Sequence, residues 1–176
     1  QQIRLFTVKR KTSKIPLYDC EGSWQEASPE TVADFSAVAY NFAKQLNNTL
    51  GVPIGIINSS WGGTPVEAWI QLEAVEDEVT LEEQKLFNYN ISENKREQDA
   101  PAYLFNGMIN PILDFSLKGV IWYQGESNRN QPRLYSKTFP LMIQNWRDLW
   151  KSPKLSFYYV QIAPFDYSKN LNSAYL

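Results

Sequence analysis

Three apolar runs, each closed by a cluster of small or polar residues, constrain this chain more than any other feature. They are Ile54-Gly55-Ile56-Ile57-Asn58 before Ser59 to Thr64, Gly119 to Gln124 before Gly125-Glu126-Ser127-Asn128, and Phe157 to Ile162 before Ala163-Pro164-Phe165. A run that is apolar throughout, rather than at alternate positions, suits a strand covered on both faces, as in parallel sheets. Ile3 to Val8 reads as a further strand. Ser28-Pro29 offers a cap and a first-turn proline, and Val32, Phe35, Val38, Ala39, Phe42, Ala43 and Leu46 follow at helical spacing, which predicts a helix over about 29 to 49, stopped by Gly51 and Pro53. Tyr135, Phe139, Met142, Ile143, Trp146, Leu149 and Trp150 predict another over about 133 to 150. Pro101 to Leu113 reads as helical, and the charged stretch 76–98 as an exposed helix or an insertion.

Strands alternating with helices imply right-handed crossovers and a parallel sheet with helices on both faces, so one α/β domain is expected over residues 1–176. Ligands bind beyond the carboxyl ends of the strands in such sheets, where the polar clusters after Asn58, Gln124 and Ile162 would meet. A hydrophobic fraction of 43% in 176 residues is ample for one core.

The chain has one cysteine, Cys20, and no histidine. A disulfide framework, a Cys-based zinc site, a His-ligated metal and a Ser-His-Asp or Cys-His mechanism therefore cannot be assembled from these residues alone. Neither metal nor cofactor is expected. With 17 Lys and Arg against 19 Asp and Glu and no basic stripe, nucleic acid is an unsuitable partner, and no apolar run approaches the roughly 18 residues of a membrane span. Gln1-Gln2-Ile3-Arg4 is neither a signal peptide nor an initiator methionine, as though something preceded it.

Two motifs carry chemistry. Asn58-Ser59-Ser60-Trp61-Gly62-Gly63-Thr64 puts glycines after a buried strand, where backbone N–H groups can be aimed at an oxyanion; a tight strand-to-helix turn is the structural alternative. No lysine follows, so it is not a phosphate loop and a nucleotide-binding flavodoxin-like protein is disfavoured. Gln124-Gly125-Glu126-Ser127-Asn128 places two amides and a carboxylate at the end of another strand. Ser59, Ser60 and Ser127 have no histidine or adjacent lysine to activate them as nucleophiles.

These segments, N-S-S-W-G-G-T-P-V-E-A-W at Asn58 to Trp69, L-F-N-G-M-I-N-P at Leu104 to Pro111 and G-V-I-W-Y-Q-G-E-S-N at Gly119 to Asn128, resemble the sialate O-acetylesterase family of SGNH (GDSL-like) hydrolases. The resemblance implies a three-layer α/β/α, flavodoxin-like fold and a serine-type hydrolase acting on acetyl esters of sugars. An acetylated sugar or glycan would be the partner, and a bacterial periplasmic or extracellular location is implied. It also implies a Gly-Gln-Ser-Asn nucleophile segment upstream and an Asp-x-x-His segment downstream. Neither occurs in the sequence, so the chain is expected to be the central part of a catalytic domain, incomplete at both ends and inactive alone. By resemblance Gly62 or Gly63 would donate a backbone N–H to the oxyanion, and Gln124 or Asn128 a side-chain N–H, Gln124 being preferred because it closes the strand just before a glycine. Trp61, Gly125 and Glu126 are candidate substrate contacts. The competing reading is a non-catalytic carbohydrate-binding or scaffold protein that keeps the fold without its nucleophile and base.

Overall fold

The structure is a computed structural model that describes residues 2–85 and 96–164. Part of the charged stretch 76–98, and Phe165 after the last strand, lie outside the described residues. Strand β1 (Ile3–Thr7) runs parallel to β3 (Ile54–Asn58), with Ile3 opposite Ile54 and Thr7 opposite Asn58. A two-residue strand, β2 (Gln25–Glu26), pairs antiparallel on the other edge of β1. Strands β4 (Gly119–Trp122) and β5 (Ser156–Tyr159) form a second parallel pair, with Trp122 opposite Tyr159.

The α/β class is as expected, but the strands form two sheets, of order β2-β1-β3 and β4-β5. Between β3 and β4 lies an open cavity of about 390 Å³, lined by Ile57 and Ser59 on one side, Ile121 and Tyr159 on the other, and Val38 and Phe42 from above. The division corrects one expectation. The strands do not have both faces fully covered, and Tyr158 and Tyr159 are 62% and 63% exposed because this half-sheet borders the gap.

The side-chain alternation of β1 and β3 builds two cores. Ile3, Leu5, Ile54 and Ile56 point to one face, against Val32, Phe35, Tyr40 and Ala43, while Phe6 and Ile57 point to the other, larger core with Trp69, Phe105, Met108 and Trp146. The helix predicted over 29 to 49 is two helices, α1 (Pro29–Ala33) and α2 (Ala37–Leu50). Ser36 restarts the chain as a second N-cap, its Oγ accepting from the Ala39 N–H, and Gly51 ends α2 as expected. Two short helices, α3 (Leu72–Glu78) and α4 (Leu81–Gln84), cover the described beginning of the charged stretch. Helix α5 (Pro132–Leu149) matches its periodicity and runs through Pro140.

The segment predicted as helical from Pro101 is helical, but as a π-helix, Phe105–Ile109, followed by a 3₁₀ turn, Asn110–Ile112, rather than a regular α-helix. It presses against residues 11–17. Asn106 Nδ2 donates to Ser13 O, the Leu17 N–H to Asn106 O and Asn110 Nδ2 to Leu17 O. Gly107 sits at the closest approach, where a Cβ would lie 2.1 Å from the Lys11 carbonyl oxygen. Because that neighbour is backbone, Gly107→Ala is expected to cost about 1–3 kcal/mol through forced displacement. Urea unfolding checks this, and a midpoint unchanged from wild type would show that the two segments part freely.

A candidate active site at the rim of the sheets

The loop after β3 is held open by its own hydrogen bonds. Thr64 Oγ1 donates to the Trp61 carbonyl at 2.7 Å and accepts from Trp69 Nε1 at 3.0 Å, closing a turn with Gly62 and Gly63 exposed at its tip. Gly63 has φ +76°, a left-handed conformation that glycine adopts without strain. Its carbonyl accepts from Arg96 Nη2, and Arg96 is itself fixed by Asp99, with Nε and Nη2 each 2.9 Å from a carboxylate oxygen. A Cβ on Gly62 would meet no atom within 4 Å, so open space lies over that residue.

The second loop reaches the first through an unbroken chain of side-chain bonds. Gln124 Nε2 donates to the Thr64 carbonyl at 3.0 Å and to Asn128 Oδ1 at 2.6 Å. Asn128 Oδ1 also accepts from the Val66 N–H at 3.0 Å, and Asn128 Nδ2 faces both oxygens of Glu67, at 2.9 and 3.0 Å. Thr138 Oγ1, on α5, lies 3.4 Å from Glu67 Oε1. Glu67 and Asn128 are 3% and 4% exposed. Burial pushes the Glu67 carboxyl above the usual carboxylate range, with the Asn128 and Thr138 bonds opposing that rise. Tyr135 braces the loop by donating to the Gln124 carbonyl.

Gly62, Gly63, Gln124 and Asn128 thus share one rim although some 60 residues separate the two loops. The side-chain donors are nevertheless engaged inward: Gln124 Nε2 with Thr64 and Asn128, and Asn128 Nδ2 with Glu67. Gly125 is buried behind the rim and Glu126 is exposed on it, beginning the 3₁₀ turn Glu126–Asn128. Trp61 is half-buried, with the Arg10 guanidinium 5.7 Å from its ring centre. The hydroxyls next to the glycines are spent as donors, Ser59 Oγ on Met108 O and Ser60 Oγ on Asn58 Oδ1. Among the described residues no cluster of His, Cys, Asp or Glu could hold a metal ion.

Glu67, at the centre of the network, is the site residue that sequence reasoning missed. In V-E-A-W it reads as an ordinary surface glutamate, and what places it is Asn128, 61 residues away. A carboxylate inside a run otherwise apolar from Val66 to Ile70 was the available signal.

A parallel α/β framework whose strand-end loops meet at the carboxyl rim fits the SGNH-like fold. The comparisons agree. Residues 5–175 match the family described as carbohydrate esterase, sialic acid-specific acetylesterase, and the chain belongs to that family. It is 34% identical over 185 residues to the sialate O-acetylesterase of Rattus norvegicus, which matches 86% of this chain, and 35% identical over 157 residues to that of Homo sapiens, which matches 84%. Among solved structures it is similar to a carbohydrate acetylesterase from Xanthomonas citri, with a TM-score of 0.78, 37% identity and 91% of this chain covered. The chain spans about a third of the length of these relatives, 34%, 29% and 34% respectively.

Proposed function

We propose that these residues form the oxyanion-binding rim of a serine-type carbohydrate O-acetylesterase, whose nucleophile and base come from residues outside these 176. The observation that carries this reading is the bond from Gln124 to the Thr64 carbonyl, which fastens the amide loop to the glycine loop beside open space over Gly62. A tetrahedral intermediate needs donors fixed before its charge develops, and two loops cross-braced in advance supply that rigidity. Backbone N–H groups at Gly62 or Gly63 are the proposed fixed donors. The Gln124 amide joins them if one of its two inward bonds is exchanged for the oxyanion. Trp61 would wall the acyl or sugar group, with Gly125 and Glu126 on the facing loop. The Arg10 guanidinium over Trp61 favours a sugar that carries a carboxylate, whereas Arg96 is already paired with Asp99. A periplasmic or extracellular location fits such a substrate.

The test compares two proteins on 4-nitrophenyl acetate and on O-acetylated sialic acid. The 176 residues alone are expected to give no turnover above a protein blank, since neither an activated serine nor a base is among them. A longer form that carries both is expected to release acetate from the two substrates. Burst kinetics with an acyl adduct on Ser59, Ser60 or Ser127 would overturn the assignment, as would a longer form that binds acetylated sugars without hydrolysing them.

A further inference from the structure

We propose that Glu67 is a positioning residue of this rim: acting through Asn128, it fixes which end of the Gln124 side-chain amide faces the glycine loop. The argument is one of polarity. An ionised carboxylate only accepts hydrogen bonds, whereas a carboxamide has one accepting end and one donating end. With both Glu67 oxygens beside it, Asn128 must present Nδ2 to them, so its Oδ1 faces the other way, toward the Val66 N–H and Gln124. Gln124 then presents Nε2 to Asn128 Oδ1 and to the Thr64 carbonyl. Its Oε1 is left buried with no hydrogen-bond partner among the described residues. An orphaned acceptor is a cost the fold accepts here, because turning the amide over would set it against two other acceptors.

The carboxylate also explains why a charge is kept in the interior at all. The Val66 N–H and the Thr64 carbonyl bias the amides in the same direction, but through neutral bonds. The bonds to Glu67 are charge-assisted and stronger, and a carboxylate cannot be satisfied by the reversed arrangement. A glutamine of the same shape would fill the space and accept one bond, yet it could also turn over together with its neighbours. None of the ion pairs found among the described residues involves Glu67, so its charge is answered by these hydrogen bonds. Among the described residues, Tyr135 on α5 is the titratable group that interacts with Glu67, and it also feels Glu126, which is exposed on the loop. Burial raises the phenol of Tyr135 above its ordinary range, so it stays protonated through the acid and neutral region.

The inference extends the esterase reading but is tested independently of any turnover. In the 176-residue protein, the side-chain amide signals of Asn128 and Gln124 are followed by ¹⁵N NMR in wild type and in Glu67→Gln. The variant is expected to keep its melting temperature while both signals broaden or split and their protons exchange faster with solvent. Protonating Glu67 in wild type, by lowering the pH, makes the same change without a substitution and is expected to move both signals together, in Glu126→Gln as in wild type. Amide signals that stay sharp and in place through both changes would overturn the proposal. In a longer, hydrolytically competent form, Glu67→Gln is expected to lower kcat by about tenfold at unchanged KM. Loosened amides with unchanged kcat would support the positioning role while removing Gln124 from the esterase reading.

Discussion

Asn128→Asp is expected to destabilise the protein by about 3–5 kcal/mol at pH 7, the range typical of an uncompensated buried charge. The substitution replaces a donor 2.9 and 3.0 Å from the two Glu67 oxygens with a second acceptor, and none of the ion pairs found among the described residues involves Glu67. Two carboxylates so close resist joint ionisation, so the pair takes up a proton more readily than Glu67 does in wild type. The direction of the pH dependence follows. In wild type the Glu67 carboxyl is already raised by burial, so the folded chain holds a proton at pH values where the unfolded chain has released it. That contribution to stability is full below the ordinary carboxylate range and fades as the pH rises through the raised value. In Asn128→Asp the same window extends upward, and the deficit relative to wild type should shrink on going from pH 7 to pH 5. Urea unfolding at the two pH values measures it. A loss below about 1 kcal/mol at pH 7 would mean that water reaches the cluster.

Gln124→Ala carries the second large effect. In a form with serine and base, removal of one oxyanion donor lowers turnover by about 10²- to 10³-fold, or 2.7 to 4 kcal/mol, while a contact made only in the transition state leaves KM nearly unchanged. The same substitution cuts the brace between the loops, since Gln124 Nε2 spans Thr64 and Asn128. Steady-state kinetics on an aryl acetate would show the loss in kcat. Full turnover by Gln124→Ala, with loss in Asn128→Ala, would transfer the side-chain donor to Asn128.

What the sequence made legible was local. Ile54 to Asn58 and Gly119 to Trp122 announce themselves by uninterrupted apolar runs, and the two glycines and the Gln124 block were visible because polar residues at strand ends are conspicuous. The break at Asp34 to Ser36 was less so: Val32, Phe35 and Val38 continue a helical period across it, and only the Ser36 hydroxyl, competing for a backbone N–H, restarts the chain. The burial of Glu67 was hinted at by its apolar neighbours Val66 to Ile70, but its role was hidden because its partner Asn128 lies in a different loop. The π form of the Phe105–Ile109 helix was hidden for a similar reason, since its register answers to the backbone of Lys11 pressing on Gly107.

The division of the strands into two sheets has a directional consequence. The facing edges of β3 and β4 leave room between them, and the two loops that follow these strands are bonded to each other at one rim. A polypeptide filling the gap alongside both neighbours, at the usual spacing of about 4.8 Å per strand, would have its carboxyl end delivered between Gly62 and Gln124 when it runs in their direction. Entered the opposite way, it would bring its amino end there instead. The direction of a strand placed there would thus decide which of its ends lies beside the rim.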